Sequence, residues 1–127
     1  MSPILDRIVN ETRQRLIKAP PNRRALEAAI DALPSPPIDA GERLRRPGPH
    51  IIAEVKRRSP SAGDIRLNVD PVALASVYAQ AGASAVSILT EPTHFGGSLD
   101  DLRSASTAVS IPCLRKDFIV SDLQLLE

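Results

Sequence analysis

Three short apolar runs constrain this chain more than any other feature: Ile51-Ile52-Ala53-Glu54-Val55-Lys56, the run from Ala83 to Thr90, and Ile111 to Lys116. Each is continuously apolar rather than alternating, the pattern of parallel strands covered by helices. Helical patterns separate them. Asp70-Pro71 supplies an N-cap and a first-turn proline for a stripe of Val72, Ala75, Val77, Tyr78 and Ala81, and Gly82 is placed to end that helix. Ser98-Leu99-Asp100-Asp101 resembles a capping box with Asp for the usual Glu, opening a helix through Leu102, Ala105 and Val109. Ser121 or Asp122 starts a third. The order β-α-β-α-β-α predicts an α/β fold with parallel, adjacent strands near 51–56, 84–89 and 111–116. Doubly wound sheets and TIM barrels share such units, and a barrel takes eight of them over about 250 residues. Three strands read either as a small open α/β domain or as part of a barrel.

The first fifty residues have a different texture, holding eight of the twelve prolines. Ser2 is placed as an N-cap and Pro3 as the first helical residue for a stripe of Ile4, Leu5, Ile8, Val9 and Leu16, which stops before Pro20-Pro21. A second helix from Asn22 carries Leu26, Ala29, Ile30 and Leu33 and stops before Pro34. Residues 34–49 read as an irregular connector. The division is a helical extension with a Pro-rich connector over 1–49, and βα units over 50–127.

Composition excludes several classes. The formal net charge is +1, so no bulk field points to nucleic acid or to a membrane surface. Arg43, Arg45, Arg46, Lys56, Arg57, Arg58 and Arg66 cluster in one stretch, a local hint of anion binding that a solvated charged face explains as well. No run approaches the roughly 20 apolar residues of a membrane span, and no secretory leader precedes the helices. The single cysteine, Cys113, lies in an apolar run and reads as a small buried hydrophobe. These features predict a soluble, cytoplasmic protein. The two histidines, His50 and His94, lack partners at ligand spacing, so no metal site is expected. Walker, dinucleotide and nucleophile-elbow motifs are missing too, and no cofactor is expected.

Two anomalies carry chemistry. Glu54 and Lys56 share one face of an otherwise apolar strand, at its C-terminal end, where α/β proteins build sites. Charges there are costly unless they pair or meet a ligand. Lys116 repeats the pattern at the end of the third strand, where burial would lower its pKa and suit it to proton transfer. Structural alternatives are an ion pair at each strand end, Glu54 with Lys56 and Lys116 with Asp117. Two lysines at two strand ends favour one shared site. Ser59-Pro60-Ser61 with Gly63 can present hydroxyls and N–H groups to an anion, though ordinary loop chemistry explains it equally. Phe95, before Gly96-Gly97, and Phe118 follow strand ends, where they would fill the core or wall an aromatic substrate.

At this level of detail the chain resembles a known family, the indole-3-glycerol phosphate synthases. The resemblance rests on Ile51 through Ser61, on Ser87-Ile88-Leu89-Thr90 followed by Phe95-Gly96-Gly97-Ser98-Leu99-Asp100-Asp101-Leu102, and on Pro112-Cys113-Leu114-Arg115-Lys116-Asp117-Phe118-Ile119. It covers essentially the whole chain, including the helical extension. It implies a partial (β/α)₈ barrel, the first three βα units, and a decarboxylating lyase of tryptophan biosynthesis acting on a small phosphorylated substrate without metal or cofactor. By matching motif positions, Lys116 would be the general acid, Lys56 would hold the substrate carboxylate and supply a proton, and Glu54 would orient Lys56 and the substrate. Ser59 would lie near the sugar phosphate, and Phe95 and Phe118 would pack the anthranilate ring. The family's remaining catalytic and main phosphate-binding residues lie on later strands that this chain lacks. The expectation is therefore an N-terminal portion, inactive alone. The alternatives are a non-catalytic half-barrel that self-associates or pairs with a complementary half, and another phosphate-binding barrel such as phosphoribosylanthranilate isomerase.

Overall fold

A computed structural model describes residues 3–127. In chain order the elements are α1 (Pro3–Lys18), α2 (Arg23–Asp31), α3 (Ala40–Leu44), β1 (Ile52–Val55), β2 (Arg58–Ser59), β3 (Gly63–Asp64), α4 (Pro71–Gln80), β4 (Ala85–Leu89), α5 (Leu99–Ala108), β5 (Cys113–Lys116) and α6 (Leu123–Leu126). They form two compact units: Pro37–Asp117, and the residues up to Pro36 together with Phe118–Glu127.

In the larger unit β1, β4 and β5 form a parallel sheet in that spatial order. The central strand β4 is buried along its whole length, as a continuously apolar run predicts. The outer strand β1 departs from that expectation: Ile52 is 51% exposed. The reason is one-sided cover. Val55, Val86 and Ile88, with Ala53 and Cys113 beside them, point to the face packed by Ala75 and Ala105, and by Leu74, Tyr78, Ala79 and Leu102. Both crossover helices, α4 and α5, thus contribute to a single core on one face. Two successive crossovers of the same hand along an unreversed strand order produce that arrangement. Residues of the other parity, Ile52, Glu54, Ser87, Leu114 and Lys116, occupy the opposite face. Val77, assigned to the α4 stripe, is exposed. At 100° per residue it lies two steps, and most of a half-turn, from the fully buried Ala75.

The caps follow the sequence. Asp70 accepts from the Val72 and Ala73 amides with Pro71 in the first turn. Gly82, at φ +96°, closes α4: its amide bonds Ala79 O at 3.1 Å and the Ala83 amide bonds Tyr78 O at 3.0 Å, a Schellman ending. Ser98 accepts from the Asp101 amide at 3.1 Å, but the Asp101 carboxylate turns to Arg57 instead of completing a capping box. Two short elements go beyond the sequence pattern. Residues 34–49 contain α3, capped by Asp39 on the Glu42 amide, and the loop after β1 folds into the antiparallel hairpin β2–β3. Both are too short to show periodicity. His50 ties the connector down, with Nδ1 2.8 Å from Ser84 Oγ and Nε2 2.8 Å from Arg46 O.

In the smaller unit, α1 begins at Pro3 as expected; the Ser2 cap lies outside the described residues. Ile8 and Thr12 form the buried centre of its stripe, while Ile4 lies exposed at the margin. Of the α2 residues only Leu26 is half-buried. Ile30 and Leu33 remain exposed, because α2 packs on α6, a helix of four residues and too short to cover them. Gln124 is buried: its Oε1 accepts from the Val120 and Ser121 amides and its Nε2 donates to Phe118 O. Among the described residues no helix is long and apolar enough to cross a membrane.

Candidate active site

Parallel register aligns Glu54 of β1 with Ser87 of β4, and Leu89 of β4 with Lys116 of β5. The side chains of Glu54, Ser87 and Lys116 share the face away from the helices, and Glu54 is their centre. Its carboxylate receives Lys116 Nζ on Oε2 at 3.0 Å, Lys56 Nζ on Oε1 at 3.3 Å, and Ser87 Oγ on Oε2 at 3.1 Å. The charged side chains of Glu54, Lys56 and Lys116 are thus brought together on one side of the strand layer. Burial pushes the Glu54 carboxyl up, but hydrogen bonds from Lys116, Lys56 and Ser87 outweigh it and hold the group below its ordinary value of 4.5. The carboxylate therefore stays ionised and keeps both ammonium groups beside it.

One premise fails. The sequence predicts a buried Lys116, and its side chain is 56% exposed. It ends the outer strand β5, on the face without helices, so the desolvation invoked for it is not present. Glu54, at 26% exposure, is the more enclosed group. The Lys116–Asp117 pairing does not form either: the Asp117 carboxylate accepts from Thr90 Oγ1 at 2.7 Å and from Arg115 Nη2 at 3.2 Å. Lys116 is thereby left to Glu54. Each ammonium carries three donors and spends one on Glu54, so the cluster presents cationic N–H groups to an anionic or carbonyl oxygen.

The remaining candidates are held differently. Ser59 is buried, and its hydroxyl accepts from the Ala62 amide at 3.1 Å and lies 3.3 Å from Ser61 Oγ. That hydroxyl is engaged in closing the β2–β3 turn. Phe95 is half-buried in the β4–α5 loop, and its amide donates to Glu91 Oε2 at 3.0 Å. Phe118 belongs to the smaller unit. Half-burial pushes the Cys113 thiol up, in keeping with a packing role.

Two residues whose role sequence reasoning passed over, Ser87 and Glu91, shape the site together with Gly97. Ser87 adds the third donor to Glu54. Glu91 is buried at the exit of β4, where its carboxylate gathers the Thr93, His94 and Phe95 amides, so it folds the loop that carries Phe95. Gly97 abuts the strand end so closely that a Cβ would overlap the Leu89 carbonyl. Ser87 and Glu91 left no local signal, because a lone serine in a strand and a Glu-Pro step fit many structures.

A parallel sheet with two crossover helices on one face defines an α/β protein, and its paired charges stand at the carboxyl ends of the strands, the edge where such folds build sites. The chain belongs to the indole-3-glycerol phosphate synthase family, whose sequence profile matches residues 5–127. It is 54% identical over 103 residues to an indole-3-glycerol phosphate synthase of Parafrankia sp. (strain EAN1pec), covering 81% of this chain and 38% of that protein. It is 52% identical over 102 residues to the one of Mycobacterium avium (strain 104), with 80% and 37% covered. With the one of Mycobacterium bovis (strain BCG / Pasteur 1173P2) the identity is 46% over 131 aligned positions, covering 100% of this chain and 48% of that protein. The chain thus spans less than half the length of these relatives.

Proposed function

We propose that this chain supplies one wall of an active site that closes an indole ring on 1-(2-carboxyphenylamino)-1-deoxyribulose 5-phosphate, with loss of CO₂ and water, in cytoplasmic tryptophan biosynthesis. The observation that carries the reading is the Glu54 carboxylate bridging Lys56 at 3.3 Å and Lys116 at 3.0 Å on strands of a chain from this family. The three strands are read as the first βα units of a (β/α)₈ barrel, with the face bearing Glu54 and Lys116 turned to the barrel interior.

In this reading the ring carbon attacks the sugar carbonyl carbon while Lys116 gives a proton to the carbonyl oxygen. The new C–C bond leaves the carboxylated ring carbon tetrahedral, and CO₂ departs to restore aromaticity. Lys56 holds the substrate carboxylate by charge and then delivers the proton that lets hydroxide leave as water, while the methylene carbon beside the ring nitrogen gives up its proton to a base on the later strands. Glu54 fixes both ammonium groups by its own negative charge, so donors stand ready before the substrate arrives. Phe95 packs against the anthranilate ring. Ser59 shapes the first loop near the phosphate, with its backbone rather than its engaged hydroxyl facing the anion. The reaction needs no redox change, in keeping with a site built from proton donors.

The test joins residues 1–127 to the part of the Parafrankia relative that the chain does not span, and follows indole fluorescence on adding the substrate. Turnover that is lost on Lys116→Ala supports the assignment. A folded chimera that binds the substrate and never closes the ring contradicts it.

A further inference from the structure

We infer that Thr90 and Asp117 are positioning residues for Lys116, forming a lock on the core side of the sheet that fixes the strand end from which the lysine is aimed; this rests on the role proposed above for Lys116. Lys116 is the last residue of β5, and the paired register with β4 ends there, opposite Leu89. Its side chain is 56% exposed, so packing restrains it little and its direction depends on the backbone that carries it. The bond that fixes this backbone comes from the residue just after β4: the Thr90 amide donates to Lys116 O at 3.0 Å.

The side chain of Thr90 then ties the next residue. The Thr90 hydroxyl donates to Asp117 Oδ2 at 2.7 Å, and Arg115 Nη2 donates to the same oxygen at 3.2 Å. Arg115 lies opposite Ile88 of the core, so strand parity puts this group on the face away from Lys116 and Glu54. Both members of the lock are enclosed there: Thr90 is 3% exposed, as is the Asp117 side chain. One carboxylate thus holds the residue before Lys116 through Arg115, and the residue that grips the Lys116 carbonyl through Thr90. The Thr90 amide and hydroxyl close a ring around the peptide between Lys116 and Asp117. Turning that peptide breaks both bonds at once. A hydrogen bond to an ionised acceptor is roughly twice as strong as a neutral one, so the ring resists such a turn. A buried ion pair gains little stability over apolar groups of similar volume. The position of Arg115 and Asp117, directly beneath the lysine that donates the proton, is therefore explained by geometry rather than by stability.

The experiment uses the same chimera with Thr90→Val, Thr90→Ser, Asp117→Asn and the Thr90→Val/Asp117→Asn double variant, measuring kcat and KM per folded protein well below Tm. Small misplacements of a catalytic group cost up to roughly 100-fold, so Thr90→Val, which removes the hydroxyl and keeps the branched shape, is expected to lose about 10- to 100-fold in kcat. KM should hold within about twofold, since the lock faces away from the substrate. Thr90→Ser keeps the hydroxyl and should restore most of the parent kcat. The double variant should be no worse than the worse single one, because both break one contact. A second readout needs no turnover. Lys116 helps to hold the Glu54 carboxyl below 4.5, so in the 127-residue chain Thr90→Val should let the Glu54 titration, followed by NMR of its carboxyl carbon, rise toward that value. If Thr90→Val does not fold, Asp117→Asn, of the same size without the charge, is read in the same way. Parent kcat in Thr90→Val, a loss in Thr90→Ser as large as in Thr90→Val, or an unchanged Glu54 titration in a folded variant would overturn the lock. If the parent chimera is inactive, the Glu54 titration still decides the lock while the proposed reaction falls.

Discussion

Lys116 Nζ lies 3.0 Å from Glu54 Oε2, across 62 residues of sequence and with β4 between their strands. Ser87 on that middle strand donates to the same oxygen, so the contact spans the full width of the sheet. The proposed chemistry depends on this geometry holding the two lysines to one carboxylate.

The first consequence is a pH dependence. The folded Glu54 carboxyl is depressed from its ordinary value of 4.5. Its contribution to stability is therefore fully present above about pH 4.5 and is lost as pH falls through the lower folded value. Glu54→Gln removes the charge and keeps the shape. The Tm difference between parent and variant should be largest above pH 4.5 and should shrink steadily below it in thermal unfolding. A difference that stays constant down to about pH 2 would mean that the three donors do not favour the ionised form.

Gly97→Ala should be destabilising by roughly 1–3 kcal/mol, the usual range for forcing atoms into packed space. The added Cβ meets backbone at Leu89, which cannot swing away as a side chain would. Denaturant unfolding of the chain measures this. Loss of less than a few tenths would mean that the β4–α5 loop is looser than its contacts imply.

Asp70→Ala should cost about 1 kcal/mol through the Val72 and Ala73 amides that Asp70 now satisfies. A lower Tm with unchanged kcat in the chimera is the expected pair of results, since Asp70 acts on a helix end away from the Glu54 cluster.

Legibility from sequence divided along physical lines. Helix ends such as Asn22, Asp70, Gly82 and Ser98 were readable because a cap is a contact within four residues. The three strands were readable because each run is apolar through its length. The shared face of Glu54 and Lys56 followed from a two-residue period, and the alliance with Lys116 followed from placing both at strand ends. What failed depended on neighbours. The exposure of Ile52 and Lys116 depends on which strands are outermost and on which face the helices cover, and no local pattern encodes either. Arg57 with Asp101 and Ser87 with Glu54 join residues 44 and 33 positions apart, so each looked like an ordinary surface or strand residue. The short α3 and the β2–β3 hairpin carried only turn chemistry.

The most direct test of the central claim is the rate of ring closure by the chimera with and without the Lys116 ammonium. A positioned general acid contributes roughly two to four orders of magnitude. Lys116→Ala should therefore lower kcat by about 10²- to 10⁴-fold while the folded variant still binds substrate, because Lys56 and Glu54 keep their pairing at 3.3 Å. A Lys116→Ala chimera that closes the indole ring at the parent rate would contradict the account.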